Sequence, residues 1–157
     1  MKLAAALFWL LLLIIPARGA GPTLEVALVY PDPTEDSREM TRQLEDGSQE
    51  TLHVAKTPVV TEFEVESARR GLSANGNAAV DVTLTPAGSK KMLAATAANY
   101  GERFAIIVEG DVIIAPFIRG TFSSHFQISG GGMTDQEAED LARKLDPSQR
   151  LLTLPAP

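Results

Sequence analysis

The sequence predicts an α+β sandwich, in which a mostly antiparallel sheet carries helices on one face. Several segments alternate apolar and polar residues or are continuously apolar, as strands are, and three others begin with helix-capping residues. Proline and glycine separate these segments. The chain has 157 residues, which fits one domain with a modest core once a leader is removed.

The first residues, MKLAAALFWLLLLIIPARGA, have the features of a secretory signal. A lysine precedes the apolar run 3–15, and residues 17–19 (Ala-Arg-Gly) form a small-x-small processing site. The run is shorter than the roughly 20 apolar residues that span a bilayer. We therefore expect a signal peptide over residues 1–19 and a mature periplasmic chain that starts at Ala20. The alternative is an uncleaved anchor in the inner membrane, the one case in which membrane contact is expected.

The first segments after the leader are a strand, a polar stretch and a second strand. Residues 24–30 (LEVALVY) predict a strand that ends at a proline-rich turn. Residues 34–49 are polar and charged without a sustained apolar period, which predicts a long exposed acidic loop. Residues 51–55 predict a short strand. We therefore divide the mature chain into 20–50, with an N-terminal strand and loop, and an α+β domain over 51–157.

The sequence at Thr61 has the pattern T-x-x-E of a capping box, with Glu64 as its acidic partner. It predicts a short helix that ends near Gly71. The residues expected in its buried face are Val65, Ala68 and Leu72.

A strand followed by a capped helix is predicted next. Residues 78–84 (AAVDVTL) alternate, so every second side chain should face the core. Thr85 is the expected N-cap of a helix over 86–100, and Gly101 can close that helix in the left-handed conformation. The residues of its apolar stripe are Met92, Leu93, Thr96, Ala97 and Tyr100.

The last predicted elements are a hairpin, a strand and a helix. Residues 104–108 and 112–115 predict two strands joined by a turn, and Pro116 should mark a bulge or an edge position. Residues 126–129 predict a strand before a triple glycine. A second capping box at Thr134 begins the final helix. The residues expected on its buried face are Ala138, Leu141, Ala142 and Leu145.

Four stretches in this part of the chain have sequences close to those of one known module: VTLTPAGSKKM, YGERFAIIVEGDVIIAPFI, ISGG and TDQEAEDLARKL. They resemble the head part of the first periplasmic domain of SecD, an accessory subunit of protein export. The resemblance covers residues 24–157 and is most specific over 82–145. The tail 154–157 (LPAP) is similar to the sequence with which the chain leaves the head in that family.

The resemblance implies a ferredoxin-like α+β head that engages extended or unfolded polypeptide. It implies the Sec translocon or another envelope protein as partner. The later membrane helices of the family do not follow in this sequence, so a complete translocase subunit is not expected.

Composition argues against several classes of partner. The formal net charge is -6 and no long basic run occurs, so nucleic acid is not an expected partner. The chain has no cysteine, which excludes disulfides, thiolate metal sites and a lipid-modified cysteine.

No catalytic or cofactor motif is apparent. Ser123 and Ser124 precede His125, but neighbouring strand residues point to opposite faces, so hydroxyl and imidazole should not meet. His53 and His125 lack the spacing of metal ligands. The triple glycine lacks the rest of a phosphate-binding motif and predicts a turn. We expect no enzyme activity, catalytic residue, metal or cofactor.

The remaining candidate site is apolar and lies around the predicted hairpin. The residues assigned to binding of extended polypeptide are Phe117, Ile118, Phe122 and Phe126, with Ile113 and Ile114 nearby. The alternative is that these side chains only pack in the core. A non-enzymatic polypeptide-binding or envelope-partner module is therefore the expected function. A periplasmic protease inhibitor or a small-ligand-binding protein that reuses the fold is the alternative.

Overall fold

The computed structural model describes residues 21–122, 124–130 and 132–150. The signal peptide expected at 1–19 and the tail 154–157 lie outside these ranges. Within them, no helix has both the length and the apolar character needed to cross a membrane.

The described strands form two antiparallel sheets. The larger sheet contains β1 (Leu24–Tyr30), β2 (Ser37–Gln43), β3 (Gln49–Ala55), β4 (Val60–Thr61), β7 (Arg103–Val108) and β8 (Asp111–Ile114). Its order is β2-β3-β1-β7-β8, with β4 also paired to β1. The smaller sheet contains β5 (Val65–Leu72), β6 (Ala78–Leu84) and β9 (His125–Ser129), in the order β5-β6-β9. The helices are α1 (Pro86–Ala98), α2 (Asp135–Leu145) and α3 (Pro147–Arg150).

This architecture confirms the α+β class with antiparallel sheets. The ferredoxin-like arrangement is not confirmed, because the strands divide between two sheets. The predicted strands at 24–30, 51–55 and 78–84 are present, as are the hairpin and the last strand.

The prediction of an acidic loop over 34–49 is wrong, because its middle part forms the seven-residue strand β2, which pairs with β3 along its whole length. The inward positions of β2 include two arginines rather than apolar residues. Arg38 contacts the buried Glu25 of β1, and Arg42 donates to Glu50 of β3. Between the two arginines only Met40 packs as an apolar residue, so the alternation of this strand is not visible in a hydrophobic pattern.

The helix predicted from Thr61 is also wrong. The capping box forms, with the Glu64 carboxylate accepting from the amide of Thr61, but it closes only one 3₁₀ turn, Glu62–Glu64. The chain then enters β5, whose register shifts between Val65 and Ser67. This irregularity buries both Val65 and Ala68, a spacing that imitates a helix.

Both remaining helices are confirmed. In α1 the Thr85 hydroxyl accepts from the amide of Gly88, and Met92 and Thr96 are fully buried. The helix ends two residues before Tyr100, and Gly101 follows with a φ of 88°. In α2 the capping box at Thr134 is complete. The predicted core residues of α2 are all buried: Ala138, Leu141, Ala142 and Leu145.

The core lies on both faces of the larger sheet. One cluster joins that sheet to the smaller sheet, α1 and α2. The other lies on the opposite face and is formed mainly by small and β-branched residues of β1, β3, β7 and β8. The sheet is curled around this second cluster, because its outermost strands β2 and β8 contact each other.

Candidate functional site

The segment 116–122 runs alongside the end of α1 and the start of β7. The amide of Phe104 donates to the carbonyl of Pro116 at 3.0 Å, and the amide of Ile118 donates to Glu102 at 2.8 Å. The amide of Gly101 donates to Ile118 in turn. Pro116 follows β8, the edge strand of the larger sheet, so its missing amide leaves no ladder position unpaired. The segment is therefore held by backbone hydrogen bonds.

Phe117 is the main exposed side chain of this segment, with 56% of its surface accessible. Its backbone bridges to Arg103. The guanidinium carbon of Arg103 lies 5.4 Å from the centre of its ring, and that of Arg119 lies 5.6 Å away. These are cation–π distances, so two guanidinium groups contact the ring while much of it is exposed.

Arg103 is itself fixed by its other contacts. Its Nη1 and Nη2 atoms donate to the two carboxylate oxygens of Glu50 at 2.7 and 3.2 Å, and its Nε donates to Ala115. The hydrogen bonds from Arg103, aided by one from Arg42, lower the pKa of Glu50 to about 2 against the cost of its burial. Glu50 is therefore ionised at neutral pH, and it keeps the guanidinium beside Phe117.

Phe122 is less exposed, at 36%, and packs edge-on against the buried Phe104 with ring centres 6.2 Å apart. Its amide and carbonyl both lie 3.3 Å from the hydroxyl of Thr96 on α1. The ring of Phe122 is therefore partly structural and partly available at the surface.

The other two predicted contact residues belong to the interior. Ile118 is 2% exposed and lies in the larger core cluster, so it is a core residue and its assignment to a surface is corrected. Phe126 on β9 is half-buried and packs against the same cluster. Ile113 and Ile114 are also partly buried against it.

Sequence reasoning missed two exposed apolar residues on or just after α1, the helix whose Thr96 contacts Phe122. Leu93 and Tyr100 are 47% and 72% exposed, although both were expected in the buried stripe of α1. They lie three residues before and four residues after Thr96, the residue that contacts Phe122. We call Leu93, Tyr100, Phe117 and Phe122 the aromatic patch.

A shallow cleft lies beside the aromatic patch. Its volume is about 300 Å³, and Phe117 and Arg103 form one side of it. Tyr30 and His53 line it as well. The lining thus combines aromatic rings with a paired cation.

The serine and histidine near β9 do meet, contrary to expectation. The Oγ of Ser124 lies 2.7 Å from Nδ1 of His125. Ser124 precedes β9 rather than belonging to it, so the alternation of strand side chains does not apply. Ser123 lies outside the described residues. In the described ranges, no group of three or more His, Cys, Asp or Glu residues is arranged to hold a metal.

Comparison with known proteins places this geometry in a family. The family model of the SecDF P1 head subdomain matches residues 37–148. Protein translocase subunit SecD of Aquifex aeolicus is 34% identical over 148 residues, which cover 88% of this chain and 28% of that protein. Protein translocase subunit SecDF of Thermus thermophilus is 33% identical over 100 residues, covering 64% of this chain and 13% of that protein.

Solved structures show the same fold. SecDF in its super-membrane-facing form matches with a TM-score of 0.63 at 24% identity, over 79% of this chain and 18% of that one. A structure described as a membrane component SecDF that enhances protein export matches with a TM-score of 0.59 at 24% identity, over 79% of this chain and 61% of that one. The chain spans only a minor part of the translocase subunits that it resembles, and the matched part is the head. The chain belongs to the SecDF P1 head subdomain family.

Proposed function

We propose that this chain is a non-enzymatic periplasmic module of protein export that binds extended polypeptide on the aromatic patch. Two findings support the role in protein export: the family of the chain, and the protein-export role named for a related SecDF structure. The observation that carries the proposal is Phe117, an aromatic ring that is 56% exposed, contacts two guanidinium groups and lies on a hydrogen-bonded segment.

An exposed ring on an ordered segment is suited to binding because little conformational freedom is lost when a ligand arrives. The segment around Phe117 is already tied to β7 and to α1 by the hydrogen bonds described above. Aromatic side chains also dominate the energy of many interfaces. Preorganisation and apolar area therefore favour association at this place.

The patch also fits a ligand of variable sequence. Burial of apolar surface is non-directional, so Leu93, Tyr100, Phe117 and Phe122 can accept different apolar side chains. A module that meets many secreted proteins needs this tolerance. The expected partner is an unfolded stretch of a secretory protein, presented at the Sec translocon or by another envelope protein.

The test is a titration of an unfolded secretory protein by fluorescence anisotropy. Phe117→Ser should weaken binding by about tenfold or more, in the range of interface anchors. Its melting temperature should stay near that of the wild type, because the ring is largely outside the core. Phe122→Ser should lower both binding and stability, since that ring also packs on Phe104.

Phe63→Ser is the matched control, because Phe63 is 78% exposed and lies on the 3₁₀ turn, outside the patch. It should bind as the wild type does. If Phe63→Ser and Phe117→Ser lost equal affinity, any exposed aromatic ring could bind the polypeptide and the patch would not be the site. If the wild type had no affinity for the unfolded protein, the proposal would be refuted.

A further inference from the structure

A groove that shares no residue with the aromatic patch lies between α2 and the turn from β7 to β8. Its volume is about 340 Å³, and its floor is apolar. The floor residues are Val108, Ile113, Met133 and Leu141. The first three are only partly buried against the core, so part of each side chain faces the groove.

The rim of this groove is acidic. The charged residues that line it are Glu109, Asp111, Glu137, Asp140 and Lys144. The ammonium group of Lys144 already donates to the carboxylate of Glu109. Within the described ranges, Asp111 and Glu137 form no salt bridge. Asp140 contacts Arg143 at 3.5 Å. The rim therefore keeps two carboxylates, those of Asp111 and Glu137, that no cation of the described ranges pairs with.

Glu137 keeps its charge at neutral pH. The amide and hydroxyl of Thr134 donate to its carboxylate at 2.8 Å each, and these hydrogen bonds lower its pKa. Its carboxylate is thus fixed in position at the mouth of the groove.

The groove continues into a larger cleft. The second cleft has a volume of about 1030 Å³ and shares Ile113 and Met133 with the first. Its rim adds Glu45 and Asp46 from the turn between β2 and β3. The arginine in its lining, Arg42, is paired with Glu50. Both clefts therefore combine apolar and acidic lining residues and adjoin each other at Ile113 and Met133, and we call them together the acidic groove.

We propose that the acidic groove binds an extended peptide segment that combines apolar side chains with lysine or arginine. The apolar floor favours burial of aliphatic side chains. The carboxylates attract cations and oppose acidic segments, which gives a charge preference rather than a sequence preference. The aromatic patch has different surroundings, since its central ring contacts Arg119, which forms no salt bridge within the described ranges, and Arg103, which is paired with Glu50. The two sites therefore select different segments, and this proposal does not depend on the patch.

Three peptides of about eight residues test the charge preference. All carry the same leucines and differ only in two positions, which are lysine, glutamine or glutamate. Their binding is measured by fluorescence anisotropy at about 50 and about 500 mM NaCl. The lysine peptide should bind most tightly at low salt and lose its advantage over the glutamine peptide at high salt.

The double variant Asp111→Asn with Asp140→Asn identifies the site. Its affinity for the lysine peptide should fall by about five- to tenfold, as expected for two exposed charge contacts. Binding of the glutamine peptide should hardly change. The matched control, Asp32→Asn with Glu66→Gln, removes two exposed acids outside the groove and should bind as the wild type does.

Phe117→Ser separates this site from the aromatic patch, because it should not abolish the preference for the lysine peptide over the glutamate peptide, which arises from the carboxylates of the groove. The proposal is overturned if the three peptides bind equally at low salt, or if the control double variant loses as much affinity as the groove variant. Concentration-dependent dimerisation that the groove variant abolishes would also overturn it, by showing that a second copy of the chain occupies the groove.

Discussion

Replacing Met92 by aspartate tests the packing of α1, which carries one side of the aromatic patch. Met92 is 0% exposed and belongs to the larger core cluster. One turn later the fully buried Thr96 has its hydroxyl 2.9 Å from the carbonyl of Met92 and 3.3 Å from that of Phe122. The helix is therefore fixed at this point and has little freedom to move a new side chain toward solvent.

The expected loss of stability has two parts. Removal of the buried thioether costs about 2–5 kcal/mol, as truncation of buried methionines does. A buried carboxyl group without partners adds about 1–3 kcal/mol or more if charged. The sum is comparable with the whole free energy of unfolding of a small domain, about 5–15 kcal/mol.

The penalty should also depend on pH. Burial raises the pKa of the introduced carboxyl above the ordinary value of about 3.9. Ionisation adds no cost while the group is protonated in both states, and the added cost grows as the pH rises from the unfolded pKa toward the raised folded pKa, on top of the packing loss that is present at every pH. The difference from the wild type should therefore be larger at pH 7 than at about pH 4.

Urea unfolding at the two pH values measures this difference. Leu93→Asp is the control, because the neighbouring Leu93 is 47% exposed and should cost less than about 1 kcal/mol. If Met92→Asp were as stable as Leu93→Asp, or if its penalty were the same at both pH values, the placement of α1 would be wrong.

Two further substitutions test the ion pair beside the patch and the start of α2. Glu50→Gln should cost about 1–2 kcal/mol at pH 7 by urea unfolding, because it breaks the contact with Arg103. This contribution is present above pH 4.5 and is lost as the pH falls toward about 2, so an equal cost at pH 2 would contradict it. Thr134→Ala should cost about 1 kcal/mol in thermal melts, because its hydroxyl accepts from the amide of Glu137, and an unchanged midpoint would contradict it.

The elements that the sequence predicted correctly are those whose apolar pattern and caps agree. In α2 the capping box, the acidic first turn and the buried face all indicate a helix, and the helix forms. From Val80 to Leu84 the strand β6 alternates, because one face contacts the core and Asp81 on the other face is exposed. Local signals are sufficient where each one favours the same structure.

The failures arise where a residue's partner is distant in the chain. The inward arginines Arg38 and Arg42 of β2 are explained only by Glu25 and Glu50 on other strands. At Thr61 the local signal was a real capping box, but pairing of β5 with β6 ends the turn after three residues. Tertiary pairing overrides local preference in both places.

The candidate site could be predicted only in part. The apolar segment 116–122 was evident, but which of its side chains face outward depends on its pairing with residues 101–104. That pairing turns Phe117 outward and buries its neighbour Ile118. The exposure of Leu93 and Tyr100 was not predictable from their apolar character, which indicates burial by default.

The proposed sites differ in the charges at their borders, and this difference has a consequence for how a long polypeptide binds. Each site offers a small apolar area and a few charges, so each is expected to bind weakly and release quickly. A polypeptide with a basic apolar segment and a second apolar segment can occupy both, and the second contact is then intramolecular. Such a ligand should bind more tightly than either segment alone. The gain should disappear when Phe117→Ser and the double variant at Asp111 and Asp140 are combined, because neither contact then remains to support the other.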